Sequence, residues 1–427
     1  LLALAVVVPL PAFAQTPPPA APPPPPPAEA VPPPPAAPVV TPAAPPAAVV
    51  VTPPMAPPPA APASAIPLPK FTWGGLIDTY YMFNFIRADG TNTLTPPIGR
   101  AFDTNANSMT LALAKLSMNA SMDLVSFQLD FGYGTTGTVI NANNTGNPAS
   151  SSLLGAIGTT NIPPDFLLEQ AFGTITLPGN LTLDFGKFTT TAGAEVIEAN
   201  KNWLYSRSFL FNAIPLLHTG VRANLKVNDM VSVQASVVNG WNNDPDNNAW
   251  KTIGLMATIT PNQMVSIVLD TYFGKEAPQG AAPSTPGDLR LLVDAVAAFT
   301  LSDKFGLNLN VDYIKAPPSL VAAASDNSDV YEIGASLMAR FIVNEHLYLS
   351  ARGEFLRTAA SAYGMSTSTT VEEGTLMAGI PVGKNFELRP ELRGDFSGDN
   401  TFAIDPTTML PTKKEQFTGT LAALTFF

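Results

Sequence analysis

From Phe71 onward, apolar and polar residues alternate nearly one for one, and the charges gather on the polar side of that alternation. A repeat of two marks an extended strand whose two faces meet different surroundings. The densest case is 386–396 (FELRPELRGDF). Phe386, Leu388, Pro390, Leu392 and Phe396 share one face, and Glu387, Arg389, Glu391, Arg393 and Asp395 share the other. In 125–134, Val125, Phe127, Leu129, Phe131 and Tyr133 alternate with Ser126, Gln128, Asp130 and Gly132, and 305–313 and 329–341 follow the same rule. A soluble sandwich also alternates, so strand number, strand length and the pattern of connections have to decide between the two.

The periodicity predicts about sixteen strands: 71–87, 107–120, 125–134, 166–177, 181–188, 217–227, 230–241, 250–260, 264–274, 288–301, 305–316, 330–343, 346–357, 371–382, 385–396 and 414–427. Many reach the ~9–11 residues that a tilted strand needs to cross a bilayer. The strand 166–177 is the least regular, because neither of its faces is clearly apolar. Connections alternate in length. Short turns such as Pro178-Gly179-Asn180, Ser302-Asp303-Lys304 and Gly383-Lys384 use residues suited to tight turns. Long ones run over 88–106, 135–165, 189–216, 242–249, 275–287, 317–329, 358–370 and 397–413. One short side and one long side is the asymmetry of an outer-membrane barrel. The expected fold is therefore all-β: a closed antiparallel transmembrane barrel, preceded by a disordered Pro/Ala-rich tether.

Composition agrees. Only 13% of residues are charged, against roughly 25% in ordinary globular chains. Past the first dozen positions there is no apolar run of about 18 residues that would span a membrane as a helix. A net charge of −11 argues against a nucleic-acid partner, which needs clustered Lys and Arg. The absence of Cys excludes a disulfide scaffold and Cys-based metal or nucleophile chemistry.

The first residues differ. Leu1–Leu10 is apolar, and Ala12-Phe13-Ala14 before Gln15 has the small-x-small form of a signal-peptide cleavage site. Residues 1–14 are expected to be part of an export signal. Residues 15–70 carry Pro, Ala, Val and Thr almost exclusively, with Glu29 the one charge before Lys70. Such a segment cannot build a core and should act as a semi-rigid periplasmic spacer at ~3.1 Å per residue, with cell-wall contact by residues 16–69 one possible use. The barrel is expected over 71–427.

Four stretches carry a family resemblance: 75–84 (GLIDTYYMFN), 186–198 (GKFTTTAGAEVIE), 202–222 (NWLYSRSFLFNAIPLLHTGVR) and 238–251 (VNGWNNDPDNNAWK). With the strand order and the terminal Phe427, they resemble the β-barrel porin family of OmpL-like outer-membrane proteins over roughly 71–427. The resemblance implies porin activity in the bacterial outer membrane without fixing a solute. Phe417, Leu421, Ala423 and Phe427 in the last strand resemble the assembly signal that the barrel assembly machinery reads, with Phe427 its end.

About sixteen strands enclose enough width for a water-filled channel. The register turns Asp78, Lys115, Asp130, Asp184, Arg222, Lys226, Asp270, Arg290, Asp294 and Asp312 toward the lumen. It does the same for Glu332, Arg340, Arg352, Glu354, Glu387, Arg389, Glu391, Arg393 and Asp395. Acids outnumber bases there, which predicts weak cation preference or none. The connection 189–216 joins the fifth and sixth strands, where general porins carry the loop that folds inward. Its Glu195, Glu198, Lys201, Tyr205 and Arg207 are candidate constriction residues, with Trp203, Phe209, Leu210 and Phe211 as packing groups. The alternative is an external cap with solvated charges.

Other chemistry has weak support. His218 near Ser206 and Ser208 is poor ground for a hydrolytic triad. The oxygen-rich loop Asn242–Asn248 lacks the spaced ligands and closing Glu of a calcium loop. No metal, cofactor or catalysis is expected. The expected function is passive diffusion of small hydrophilic solutes and ions through the lumen. The alternative is a structural barrel anchored to the cell wall or a partner through the tether. Outer-membrane lipids are the expected surroundings, and a homotrimer is an option by analogy with general porins.

Overall fold

The computed structural model describes residues 69–85, 100–143, 165–277, 286–316, 330–358, 369–404 and 411–427. The expected signal, nearly all of the expected tether and the tips of most long connections lie outside the described residues.

Sixteen strands close on themselves. They are β1 (Lys70–Asn84), β2 (Met109–Met122), β3 (Val125–Tyr133), β4 (Phe166–Leu177), β5 (Leu181–Thr189), β6 (Leu217–Lys226), β7 (Val231–Val238) and β8 (Thr252–Asn262). There follow β9 (Val265–Glu276), β10 (Asp288–Ser302), β11 (Phe305–Ala316), β12 (Val330–Asn344), β13 (Leu347–Thr358), β14 (Thr369–Pro381) and β15 (Phe386–Ser397). A two-stranded ribbon, β16 (Phe402–Ile404) with β17 (Pro411–Lys413), forms a separate sheet, and β18 (Glu415–Phe426) completes the ring. Every neighbour is antiparallel, and β18 pairs with β1 from Leu76↔Phe426 to Asn84↔Thr418, so the ring has no open edge. A sheet in hydrocarbon has to close in this way, because unpaired edge groups would find no partner in lipid.

Each sequence-assigned strand is present, with ends within a few residues of the expected ones. The short connections are tight for local reasons. Asp123, Asn180 and Gly383 hold positive φ (48°, 61° and 72°), the region that Gly, Asn and Asp tolerate best. Lys70 pairs with Ser121 beside the first turn, and Thr425 pairs with Phe386 beside the last. The start of β1 and the end of β18 thus share the short-turn side.

The faces divide as the alternation requires. Trp73, Phe127, Leu255, Leu337, Leu376 and Leu392 are exposed on the outer wall. Phe71, Trp73, Phe127 and Phe341 stand near the turns, while Phe85, Tyr133, Tyr331 and Phe417 stand near the long connections, giving two aromatic girdles. No helix among the described residues is long and apolar enough to cross a membrane.

The interior differs from an empty tube. The three clusters of buried apolar residues all include side chains from 190–216 packed against the inner wall, among them Ile197, Leu204, Phe209, Leu210, Phe211 and Ile214. A chain this apolar between two strand ends cannot stay in water, and the lumen is the nearest place to bury it.

Candidate functional site

The segment 190–216 leaves β5, crosses the lumen and returns to β6, ordered in part as a 3-10 turn (Ala199–Lys201) and a short helix (Phe209–Ala213). Its root lies on β9–β11. The Thr191 hydroxyl donates to Asp270, the Gly193 N–H to Asp294 (3.0 Å) and the Ala194 N–H to Asn310 (3.1 Å). Gly193 has φ +87°, a conformation open to glycine, and Ile214 closes over it. Within the segment, the Asn202 side chain accepts from Val196 N–H (2.9 Å) and donates to Val196 O (2.7 Å), pinning the bend.

Irregular backbone buried inside a protein still needs a partner for each polar group. The charged wall supplies them. Glu391 accepts from the N–H groups of Tyr205 (2.7 Å) and Ser206 (3.1 Å). Glu354 accepts from those of Phe209 (2.9 Å) and Leu210 (2.7 Å), the first two residues of the short helix. The Ser208 hydroxyl caps the same turn by accepting from Phe211 N–H (3.0 Å). On the carbonyl side, Arg389 donates to Ala199 O (2.6 Å), Arg352 to Ser206 O (2.8 Å), Arg393 to Arg207 O (2.6 Å) and Arg340 to Asn202 O (3.1 Å). The dense alternation of 386–396 is therefore a row of anchors of both signs.

The five residues picked from this segment are all inside the barrel, but they face different surroundings. Glu195 is buried, paired with Arg352 (2.8 Å), and accepts from Ser208 N–H (2.8 Å). The Tyr205 hydroxyl donates to Asp78 (2.9 Å). Burial and that carboxylate push its phenol well above the usual range, so it stays a donor. Arg207 is buried, donating to the Tyr205 and Ile197 carbonyls beneath Phe102. Glu198 reaches the opposite wall. Burial opposes its ionisation, but Lys115 and Lys201, each at 2.7 Å, outweigh burial and hold its carboxyl at about 2. Lys201 is the exception, with a side chain 61% exposed.

Lys115 meets Asp130 (3.0 Å), Glu169 (2.7 Å) and Glu198 (2.7 Å) together. Those three carboxylates lie close enough to hold a metal ion, and the ammonium stands among them. Asp184 binds Arg222 (2.7 Å), whose guanidinium lies over Phe172 and Phe188. Arg290 lies over Trp241 (3.5 Å). Asp294 and Asp312 share Asn310 (2.6 and 2.9 Å). Glu387 pairs with Arg389 (3.1 Å), and Arg393 with Asp395 (2.6 Å). Glu332 is half-exposed toward the long-loop end. Lys226 lies at the turn rim, bound to Asp229 (2.7 Å). The Phe427 ring is exposed, and its backbone pairs with Gly75.

Four anchoring residues escaped the sequence reading. Glu169 sits on a bulge where Asp130↔Gln170 is followed by Phe131↔Leu168, and the extra residue turns inward. That bulge is why 166–177 has no clean face. Glu373 binds Arg352; its inward position follows from Leu376, Ala378 and Ile380 lying outward, a signal that was available. Arg100 and Asp103 come from a long connection, where no periodicity exists. Arg100 reaches Asp395 (3.2 Å) and Thr418 (2.7 Å).

The weaker candidates have other partners. His218 stacks on Tyr272 (4.5 Å) with Nδ1 at 3.0 Å from Gly240 O, and neither Ser206 nor Ser208 bonds to it. In the 242–248 loop, Asp244 binds Lys187 and Thr219, and Asp246 binds Lys251.

A closed ring of sixteen antiparallel strands, with an apolar outer wall and a segment folded into a charged lumen, defines the class of outer-membrane channel barrels. Residues 70–427 match the family model described as "Putative beta-barrel porin-2, OmpL-like", and the chain belongs to that family. No curated relative matches the sequence. Among solved structures, an anion-selective porin from Comamonas acidovorans is similar (TM-score 0.54, 11% identity, 84% of this chain and 100% of that one). So are the outer membrane channel DcaP of Acinetobacter baumannii (0.52, 12%, 84% and 97%) and OprB of Pseudomonas putida (0.52, 12%, 84% and 94%). At these identities the likeness is one of fold.

Proposed function

We propose that the protein is an outer-membrane porin that passes small hydrophilic solutes and ions by diffusion, with 190–216 as its constriction. One observation carries the reading: inside a closed wall, on the lowest part of the inward segment, Lys201 is 61% exposed. An ammonium that exposed within a barrel needs a hydrated space around it. Asn119, Gln128, Asn224 and Asn308, half-exposed on the inner wall, suit the same water. Liposome swelling with sugars of graded size tests the function, and swelling no faster than protein-free liposomes ends it. The constriction has its own test. Glu195→Ala with Glu198→Ala should raise single-channel conductance, and an unchanged value counts against the assignment.

The dense anchoring of the segment favours a second reading, a barrel whose main role is structural, tied to the cell wall or a partner by residues 16–69. A barrel of that kind gives little conductance. In either reading residues 1–14 act as export signal, 15–70 as a periplasmic linker, and Phe427 as part of the signal read by the assembly machinery. A homotrimer is supported by a similar fold solved as a trimer, the outer membrane protein OmpT of Vibrio cholerae.

A further inference from the structure

Counting lumen charges gives an acidic excess, but an ion in water meets only charges that water reaches. Among the described lumen-facing residues the carboxylates are covered. Asp130, Asp184, Glu198, Glu354, Glu387 and Glu391 are each at most 6% exposed. Each also accepts from at least one donor. The exceptions, Asp288 and Glu332, stand at the long-loop end.

The bases divide differently. Arg352, Arg389 and Arg393 are buried as anchors. On the way toward the turn side, Arg222 keeps a side chain 15% exposed, Arg340 is half-buried, and Lys201 is 61% exposed. The inner-wall neighbours on that side are amides and hydroxyls such as Asn119, Thr182, Asn224 and Asn308. Lys201 hangs from the 3-10 turn whose carbonyls Arg389 holds, so its backbone is fixed while its side chain, bonded to Glu198 at 2.7 Å, stays open to solutes. Glu198, which Lys201 contacts, is also bound by Lys115 and stays satisfied without Lys201.

We infer that Lys201 is the specificity-determining residue of this channel, drawing small anions into the turn-side half of the lumen and making the pore anion-preferring. The inference rests on the porin reading above and reverses the cation preference that counting charges suggests. Its physical basis is range. A charge in direct reach of a permeating ion acts across a few ångströms, whereas the covered carboxylates are already compensated by the donors bonded to them.

The test uses the full chain purified from outer membranes and placed in planar bilayers under a potassium chloride gradient. Reversal potentials are read for wild type, Lys201→Gln and Lys201→Glu, with conductance recorded in the same membranes. Heat-modifiable gel migration shows that each variant is folded. The wild type should have a chloride-to-potassium permeability ratio above one. The ratio should fall in Lys201→Gln and fall about fivefold or more in Lys201→Glu, as expected for reversing one charge at close range. A wild-type ratio at or below one, or a ratio that ignores the substitutions in conducting channels, overturns the inference alone. A wild-type barrel without conductance overturns the porin reading and the inference with it.

Discussion

Two parts of the inner wall differ in what their polar residues do. From β12 to β15 the wall carries Arg340, Arg352, Glu354, Glu373, Glu387, Arg389, Glu391 and Arg393, most of them buried and bonded to the crossing segment or to one another. On β2, β3 and β5–β7, near the turns, it carries Ser, Thr, Asn and Gln that stay half-exposed. Charge density in this lumen therefore marks where a segment is fastened, while the water path is marked by uncharged polar residues and a few exposed bases. In a barrel interior, a charge-rich strand face points first to an anchor for irregular backbone.

The largest effect should come from the fastened side. Arg352→Ala with Arg393→Ala removes two buried guanidiniums that hold Glu195, Glu373 and the Ser206 and Arg207 carbonyls. Breaking buried pairs of this kind costs about 3–5 kcal/mol. Single-channel conductance should rise several-fold and the segment should become open to protease, and a folded variant with wild-type conductance would erase the contrast between the walls. On the wet side, Asn224→Ala should change conductance by less than about twofold, since water can take the place of its half-exposed amide beside Thr182 and Asp184.

An acid titration sharpens the same contrast with a smaller effect. The Glu198 carboxyl is held at about 2, below its usual 4.5, so the stability from its contact with Lys115 is full above pH 4.5. That stability is lost as pH falls through about 2. The Glu198 contribution to conductance should be flat from pH 7 to about 5 and change only in stronger acid, and Glu198→Gln should lack that step. Smallest of all, Gly374→Ala on the outer wall places a methyl in open space. Stability should move by no more than about 0.5 kcal/mol, read as the urea midpoint of refolded protein.

Much of this was legible in the chain because a barrel strand repeats one simple rule. Phe127 and Asp130 declare their faces from parity alone, and so do Leu392 and Arg393. The rule failed at Glu169, where one inserted residue on β4 shifts the count. It had nothing to offer at Arg100, Asp103 or Phe102, which come from a connection without periodicity. The connection 189–216 could be picked from its place between the fifth and sixth strands, with Trp203, Phe209, Leu210 and Phe211 to pack on the wall. Which of its charges would be anchors and which would meet water could not be read there.

Alternation in the sequence, with the lengths of strands and connections, determined how many times the chain would cross and which side of each strand would avoid hydrocarbon. Those follow from local geometry, since a residue's face is fixed by its neighbour's. Tertiary structure alone decided the fate of the charges inside. Glu391 on a strand and Lys201 on the crossing segment were both read as charges inside the barrel, yet one is covered by Tyr205 and Ser206 and the other stands in the open. That difference depends on where a crossing segment lands, which is set by contacts such as Tyr205 to Glu391, made between residues nearly two hundred positions apart.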